Sequence, residues 1–182
     1  MYQAVDVQAL KTAVMRGLSV PTAINLPAPK GAGIPDSMDK RYPFDVAASK
    51  KLLAEAGYPN GFTVTIDCPN DRYINDALIC QALTSMWAKI GLKVNLNAMP
   101  KAQYFAKINK TDTSLYMLGW AVATFDAQDA LYSLVHTRND KGGGEYNDGS
   151  YSNAKIDELI DKMSMEPDVK KRLDMIHEAL ML

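Results

Sequence analysis

The chain has 182 residues, 47% hydrophobic and 23% charged, the composition of an ordinary globular domain with one sizeable core. A formal net charge of −1 gives no long-range attraction for nucleic acid or an anionic membrane, and no stretch approaches the roughly 20 apolar residues of a membrane span. Two cysteines, Cys68 and Cys80, are too few for a metal framework. They allow one disulfide in an oxidising compartment, or two separate buried thiols.

Val7, Leu10 and Val14 recur at helical spacing and predict a first helix that ends near Arg16-Gly17. The opening residues lack the basic leader and continuous apolar run of a signal peptide. At the other end the stripe Val169, Leu173, Ile176 and Leu180 stops at Leu182 without a cap. Both ends are therefore expected to be cut, so a missing signal sequence carries no information about location.

From 20 to 43 the chain carries Pro21, Pro27, Pro29, Gly31, Gly33, Pro35 and Pro43, which prevents a continuous helix or central strand. A long irregular loop is expected, of the kind that serves a site or a partner surface. Asp45 is then predicted to cap a helix with Val46, Leu52 and Leu53 on its apolar side and Gly57 as its stop. After the turn Pro59-Asn60-Gly61, residues 62–67 alternate with period two and predict a half-buried strand. Asp71 is placed as the cap of the next helix, whose residues Ile74, Leu78, Ala82, Met86 and Ile90 fall four apart before Gly91. Val94, Leu96 and Ala98 mark a second strand. Pro100 opens a short helix holding Tyr104, Phe105 and Ile108, and 114–120 reads as a third strand. A helix over 127–135, a loop at Gly142-Gly143-Gly144 and two helices starting near Asn153 and Pro167 follow. Strands alternating with helices predict an α/β layer structure with a largely parallel sheet, read here as one lobe over 1–182 without internal repeat.

Catalytic constellations are not found in this pattern. His136 and His177 share no metal-ligand spacing with each other or with the cysteines, and no Gly-x-Ser-x-Gly elbow, P-loop or dinucleotide fingerprint occurs. The triple glycine lacks the Lys-Ser/Thr that would engage a nucleotide. Paired acids such as Asp157 and Glu158, or Asp126 and Asp129, read as helix surface or caps, and the ten methionines as core filler. The chain is read as a non-enzyme that needs no cofactor and no metal.

Four blocks, in order, carry a resemblance. Residues 42–62, Tyr42-Pro43-Phe44-Asp45 through Ala56-Gly57-Tyr58-Pro59-Asn60-Gly61-Phe62, resemble a hallmark stretch of the family 5 extracellular solute-binding proteins. These are the dipeptide- and oligopeptide-binding components of ABC importers. Residues 87–94 (with Lys89-Ile90-Gly91-Leu92-Lys93-Val94), 116–120 (Tyr116-Met117-Leu118-Gly119-Trp120) and 151–157 (Tyr151-Ser152-Asn153-Ala154-Lys155-Ile156-Asp157) are similar to further blocks of that family. The resemblance implies a type II periplasmic binding protein of two lobes, with this chain as most of the second lobe. It also implies a location in the periplasm, or outside the cell on a membrane tether. The implied partners are a small solute such as a peptide and the importer's membrane permease, with no nucleic acid. A receptor or chemosensory module on the same fold is the alternative.

Candidate ligand-binding residues follow from two sources. By the resemblance, the strand ending in Gly119-Trp120 opens into a loop at the interlobe cleft, which nominates Trp120, Phe125 and Asp126. Family peptide binders often carry an aspartate three residues after that tryptophan to hold the ligand ammonium, and here the position is Ala123. Asp129 is the other nearby acid. The second source is general: ligands of open α/β sheets favour the carboxyl ends of strands. That nominates Asn70, Asp71, Arg72 and Tyr73, with Arg72 as a bidentate partner for a carboxylate or, on the plain reading, a solvated surface residue.

Overall fold

The computed structural model describes residues 1–24, 33–121 and 126–182. They fall into two compact units, Met1–Pro21 with Arg41–Gly119, and Thr22–Lys40 with Trp120–Leu182. Each has its own apolar core.

The first unit is the α/β part. Asp6 caps α1 (Val7–Ala9) by accepting from the N–H groups of Gln8 and Ala9, and the helix continues as a π turn, Leu10–Val14. Asp45 caps α2 (Val46–Glu55) through the Ala48 N–H, as the sequence predicts. Leu53 is buried there but Leu52 is exposed, so the apolar side of α2 is narrower than expected. Three strands follow: β1 (Thr63–Pro69), β2 (Lys93–Met99) and β3 (Leu115–Tyr116). β1 lies in the middle and runs parallel to both neighbours, with Ile66 opposite Leu96 on one side and Leu115 on the other. The largely parallel α/β sheet expected from the strand–helix alternation is present.

Its details differ from the sequence reading in ways that have physical causes. β1 is buried on both faces from Ile66 onward instead of half-buried. Helix α3 (Asp76–Ala88) covers the face bearing Ile66 and Cys68, and α4 (Lys101–Ile108) the face bearing Asp67. β2, at the edge, keeps the predicted alternation at Val94 and Leu96, but Ala98, placed on the same face by spacing, is exposed. The predicted third strand over 114–120 shrinks to two paired residues. Asp71 does not cap α3. The helix starts five residues later, behind Asn75 in the left-handed conformation (φ 56°), and its buried face is Asp76, Cys80 and Trp87. Ile74 and Leu78, placed in the apolar stripe by spacing, are 76% and 52% exposed. Cys68 and Cys80 form a disulfide that ties β1 to α3, both residues fully buried. Gly61 and Gly91 bring their turns together so closely that a Cβ on Gly61 would meet the Gly91 carbonyl oxygen at 2.0 Å, and φ is positive at both.

The second unit is helical: α5 (Ala127–Leu134), α6 (Ala154–Met165) and α7 (Val169–Met181). Asn153 caps α6 as predicted, and Asp168 caps α7 one residue beyond Pro167. Leu131, Ile156, Ile160, Met163 and Ile176 form the core, joined by Ile34. Part of the proline-rich segment thus serves this core. Asp39 accepts from the Ala23 N–H and the Thr22 hydroxyl, and His177 Nε2 lies 3.1 Å from the Gly33 carbonyl oxygen. Residues 25–32 of that segment lie outside the described residues.

Candidate functional site

In the first unit the carboxyl end of β1 carries the residues nominated at 70–73. Asn70 is exposed, and its N–H donates to the Met99 carbonyl at the end of β2. The Asp71 carboxylate accepts the Lys101 N–H at 2.6 Å, at the start of α4. The Asp that sequence assigned to α3 therefore serves the neighbouring helix.

The group that shapes the turn is Asp76, which the sequence reading did not single out. Its buried carboxylate accepts the N–H groups of Arg72 (2.9 Å), Tyr73 (3.0 Å) and Ala77 (2.8 Å). Burial works to raise its pKa, but the backbone donors from Tyr73, Arg72 and Ala77 outweigh it and hold the carboxyl below the usual carboxylate value. An ionised Asp76 thus fixes the backbone that presents Arg72. The Arg72 guanidinium is exposed and sits 4.9 Å from the centroid of the Tyr73 ring. Among the described residues no carboxylate pairs with it. The Tyr73 ring packs against the chain beyond β3, where a Cβ on Gly119 would meet it at 2.7 Å.

In the second unit Trp120 is partly buried against the helical core, its ring 5.2 Å from that of Tyr146. Its buried indole N–H has no hydrogen-bond partner among the described residues. Asp126 caps α5 through the Gln128 N–H at 2.9 Å and is held by Arg172, at 2.9 Å from Oδ1 and 2.8 Å from Oδ2. Its carboxyl is pulled below the ordinary value: partial burial opposes this, and Arg172 together with the Gln128 N–H prevails. Asp129 stands in the first turn of the same helix. Ala123 and Phe125 lie outside the described residues.

His136 is buried beside Asp157 and Asp161, with Nδ1 2.6 Å from the Thr137 carbonyl oxygen. Among the described residues no cluster of His, Cys, Asp and Glu is arranged to hold a metal ion. A surface cavity of about 550 Å³ in the second unit, with Tyr132, Asp140 and Asp161 in its wall, includes none of the nominated residues.

The carboxyl edge of the buried sheet thus presents a pinned turn that carries an exposed guanidinium. The family model "Bacterial extracellular solute-binding proteins, family 5 Middle" matches residues 1–142. The chain belongs to this family. Its curated relatives include the glutathione-binding protein GsiB of Pectobacterium atrosepticum, 30% identical over 161 residues, covering 82% of this chain and 31% of that protein. Heme-binding protein A of Haemophilus influenzae is 28% identical over 167 residues, covering 87% of this chain and 29% of that protein. Among solved structures, the periplasmic binding protein DppA from Helicobacter pylori in complex with the peptide STSA superposes with a TM-score of 0.86 at 23% identity, over 98% of this chain and 34% of DppA. That likeness shows a shared fold over this part of DppA. The chain spans about a third of the length of these relatives.

Proposed function

We propose that this chain is the second lobe of a solute-binding protein that captures a small peptide or related solute between two lobes and delivers it to the membrane permease of an ABC importer. The observation that carries this reading is the family match over residues 1–142. The periplasm, or the outer face of the cell on a tether, is the location that fits such a role. It also suits the Cys68–Cys80 disulfide, which persists in oxidising surroundings.

The geometry supports a ligand bearing a carboxylate. Arg72 is an exposed guanidinium without a carboxylate partner among the described residues, on a backbone fixed by Asp76. It is suited to a bidentate contact. On the amine side the arrangement is weaker. Ala123 stands where family peptide binders often carry an aspartate, and the carboxylate of Asp126 is engaged by Arg172 and the helix cap. The class favoured is therefore an acidic peptide or peptide-like solute rather than one recognised chiefly by its ammonium.

The test uses the whole protein of which this chain is a part. Native mass spectrometry of material purified without refolding should reveal a co-purified small solute. A thermal-shift panel that includes glutathione and Ser-Thr-Ser-Ala should contain a member that stabilises the fold by about 3 kcal/mol at a hundred times its Kd. A protein that carries no solute and is stabilised by none of a broad peptide and organic-acid panel ends this reading.

A further inference from the structure

The turn after β1 is held far more firmly than an exposed loop requires. Cys68 and Cys80 bracket it, and their bridge closes a ring with a sequence separation of 12. Inside that ring the N–H of Asn70 is tied to β2, the carboxylate of Asp71 to α4, and the backbone of Arg72 and Tyr73 to Asp76. The Tyr73 ring is seated on Gly119. Asn75 takes the left-handed conformation, which asparagine tolerates better than most side chains, and its side-chain amide donates to the Val14 carbonyl at 2.9 Å.

What these ties leave free is also informative. Asn70 and Arg72 keep exposed side chains, and apart from the Arg72 guanidinium beside the Tyr73 ring the restraints act on backbone or on other residues of the turn. The buried bridge would stabilise the fold whatever the turn does, but a turn that must offer a guanidinium in one place gains further, because order established during folding lowers the cost of binding.

We infer that the Cys68–Cys80 disulfide and the buried Asp76 carboxylate are positioning groups that hold the 70–76 turn in its ligand-receiving form before any solute arrives. This deepens the proposed function and rests on Arg72 facing the solute. Neither group touches the solute; each acts through the backbone of Arg72 and Tyr73. The bridge is a permanent clamp and not a redox switch, since no solvent reaches either cysteine.

Hydrogen exchange on the ligand-free chain tests the inference without needing the solute. In the double variant Cys68→Ala/Cys80→Ala, the amides of Asn70, Arg72 and Tyr73 should exchange at least about tenfold faster beyond whatever acceleration β2 shows. Asp76→Asn keeps the bridge. There the informative amide is that of Asn70, which donates to Met99 and not to Asp76, and it too should lose protection while β2 does not. Equal acceleration of turn and strands would show the groups to be general stabilisers, and an unchanged turn in both variants would show them to be idle; either overturns the inference. Solute binding does not enter this readout, so a failure of the proposed function and a failure of the clamp are told apart.

Discussion

Arg172, on the last helix of the second unit, holds Asp126 at the first turn of α5, with its Nη2 2.8 Å from Oδ2. The same guanidinium donates through Nε to the Met163 carbonyl, at 3.0 Å, near the end of α6. One side chain therefore ties all three helices of the unit together. Arg172→Ala is expected to cost about 1–2 kcal/mol, the worth of a partly buried charge-assisted contact. Asp126→Ala should cost about 1 kcal/mol more than a surface substitution because it also removes the α5 cap. Urea midpoints of the two variants and of the double variant measure both, and a double-mutant cycle with no coupling would refute the pairing.

Acid should weaken the chain through Asp126 and Asp76. Both carboxyls sit below their ordinary value in the folded state. The stability each contributes is therefore complete above the unfolded-state pKa of about 3.9 and is lost as pH falls through the lower folded value. Melting temperature recorded from pH 7 to pH ~2.5 should drop along an acid limb, and Asp126→Asn should flatten that limb. A variant curve parallel to the parent's throughout would remove Asp126 from the account.

The contact between Gly119 and Tyr73 invites a direct steric test. A methyl at 119 would meet the Tyr73 ring at 2.7 Å, so Gly119→Ala is expected to cost about 1–3 kcal/mol. Adding Tyr73→Ala should recover part of that loss, since it removes the obstacle. If the double variant is simply the sum of the two, the clash is not the cause.

Buried Asp67 is the most sensitive single site foreseen in the first unit. It receives Asn97 at 2.7 Å and Thr113 at 2.8 Å, and pairs with Lys107 at 3.2 Å. Asp67→Ala would take the acceptor from Asn97 and Thr113, while Lys107 keeps Asp112, for an expected cost of about 2–4 kcal/mol. Asp67→Asn should be milder. Circular dichroism melts of both rank them, and the reverse order would contradict the network.

On the proposed function, Arg72→Ala in the whole protein should weaken binding of a carboxylate-bearing solute about tenfold or more, and Arg72→Lys should not restore it, because an ammonium cannot make the paired planar contact. Titration calorimetry with the co-purified solute measures this. Unchanged affinity in both variants would place Arg72 outside the ligand contact.

Local signals were readable wherever the residue that writes them also uses them. Asp45 and Asn153 cap the helices that follow them, and the alternation in β2 survives because one face of an edge strand stays wet. Non-local partners were not readable. Asp71 and Asp76 are both acids ahead of a helical pattern, and only the fold decides that the first serves α4 and the second the turn. Ile74 and Leu78 fit an apolar stripe by spacing, but the neighbours that pack α3 engage Cys80 and Trp87 instead. The nomination of Arg72 came from where strands end, a topological argument. The Trp120 and Asp126 nominations came from family likeness, and the Arg172 partner of Asp126, 46 residues away, has no local signature at all.

The order of residues along β1 also guards its own assembly. Asp67 and Cys68 are adjacent, so they point to opposite faces, one to the Lys107 side and the other to Cys80. Sliding the strand by a single residue would press a carboxylate into the apolar layer under Trp87 and carry the thiol away from its mate. Misaligned pairings of the sheet are thus penalised twice, by charge burial and by a bond that cannot close, and the strand proofreads its own alignment.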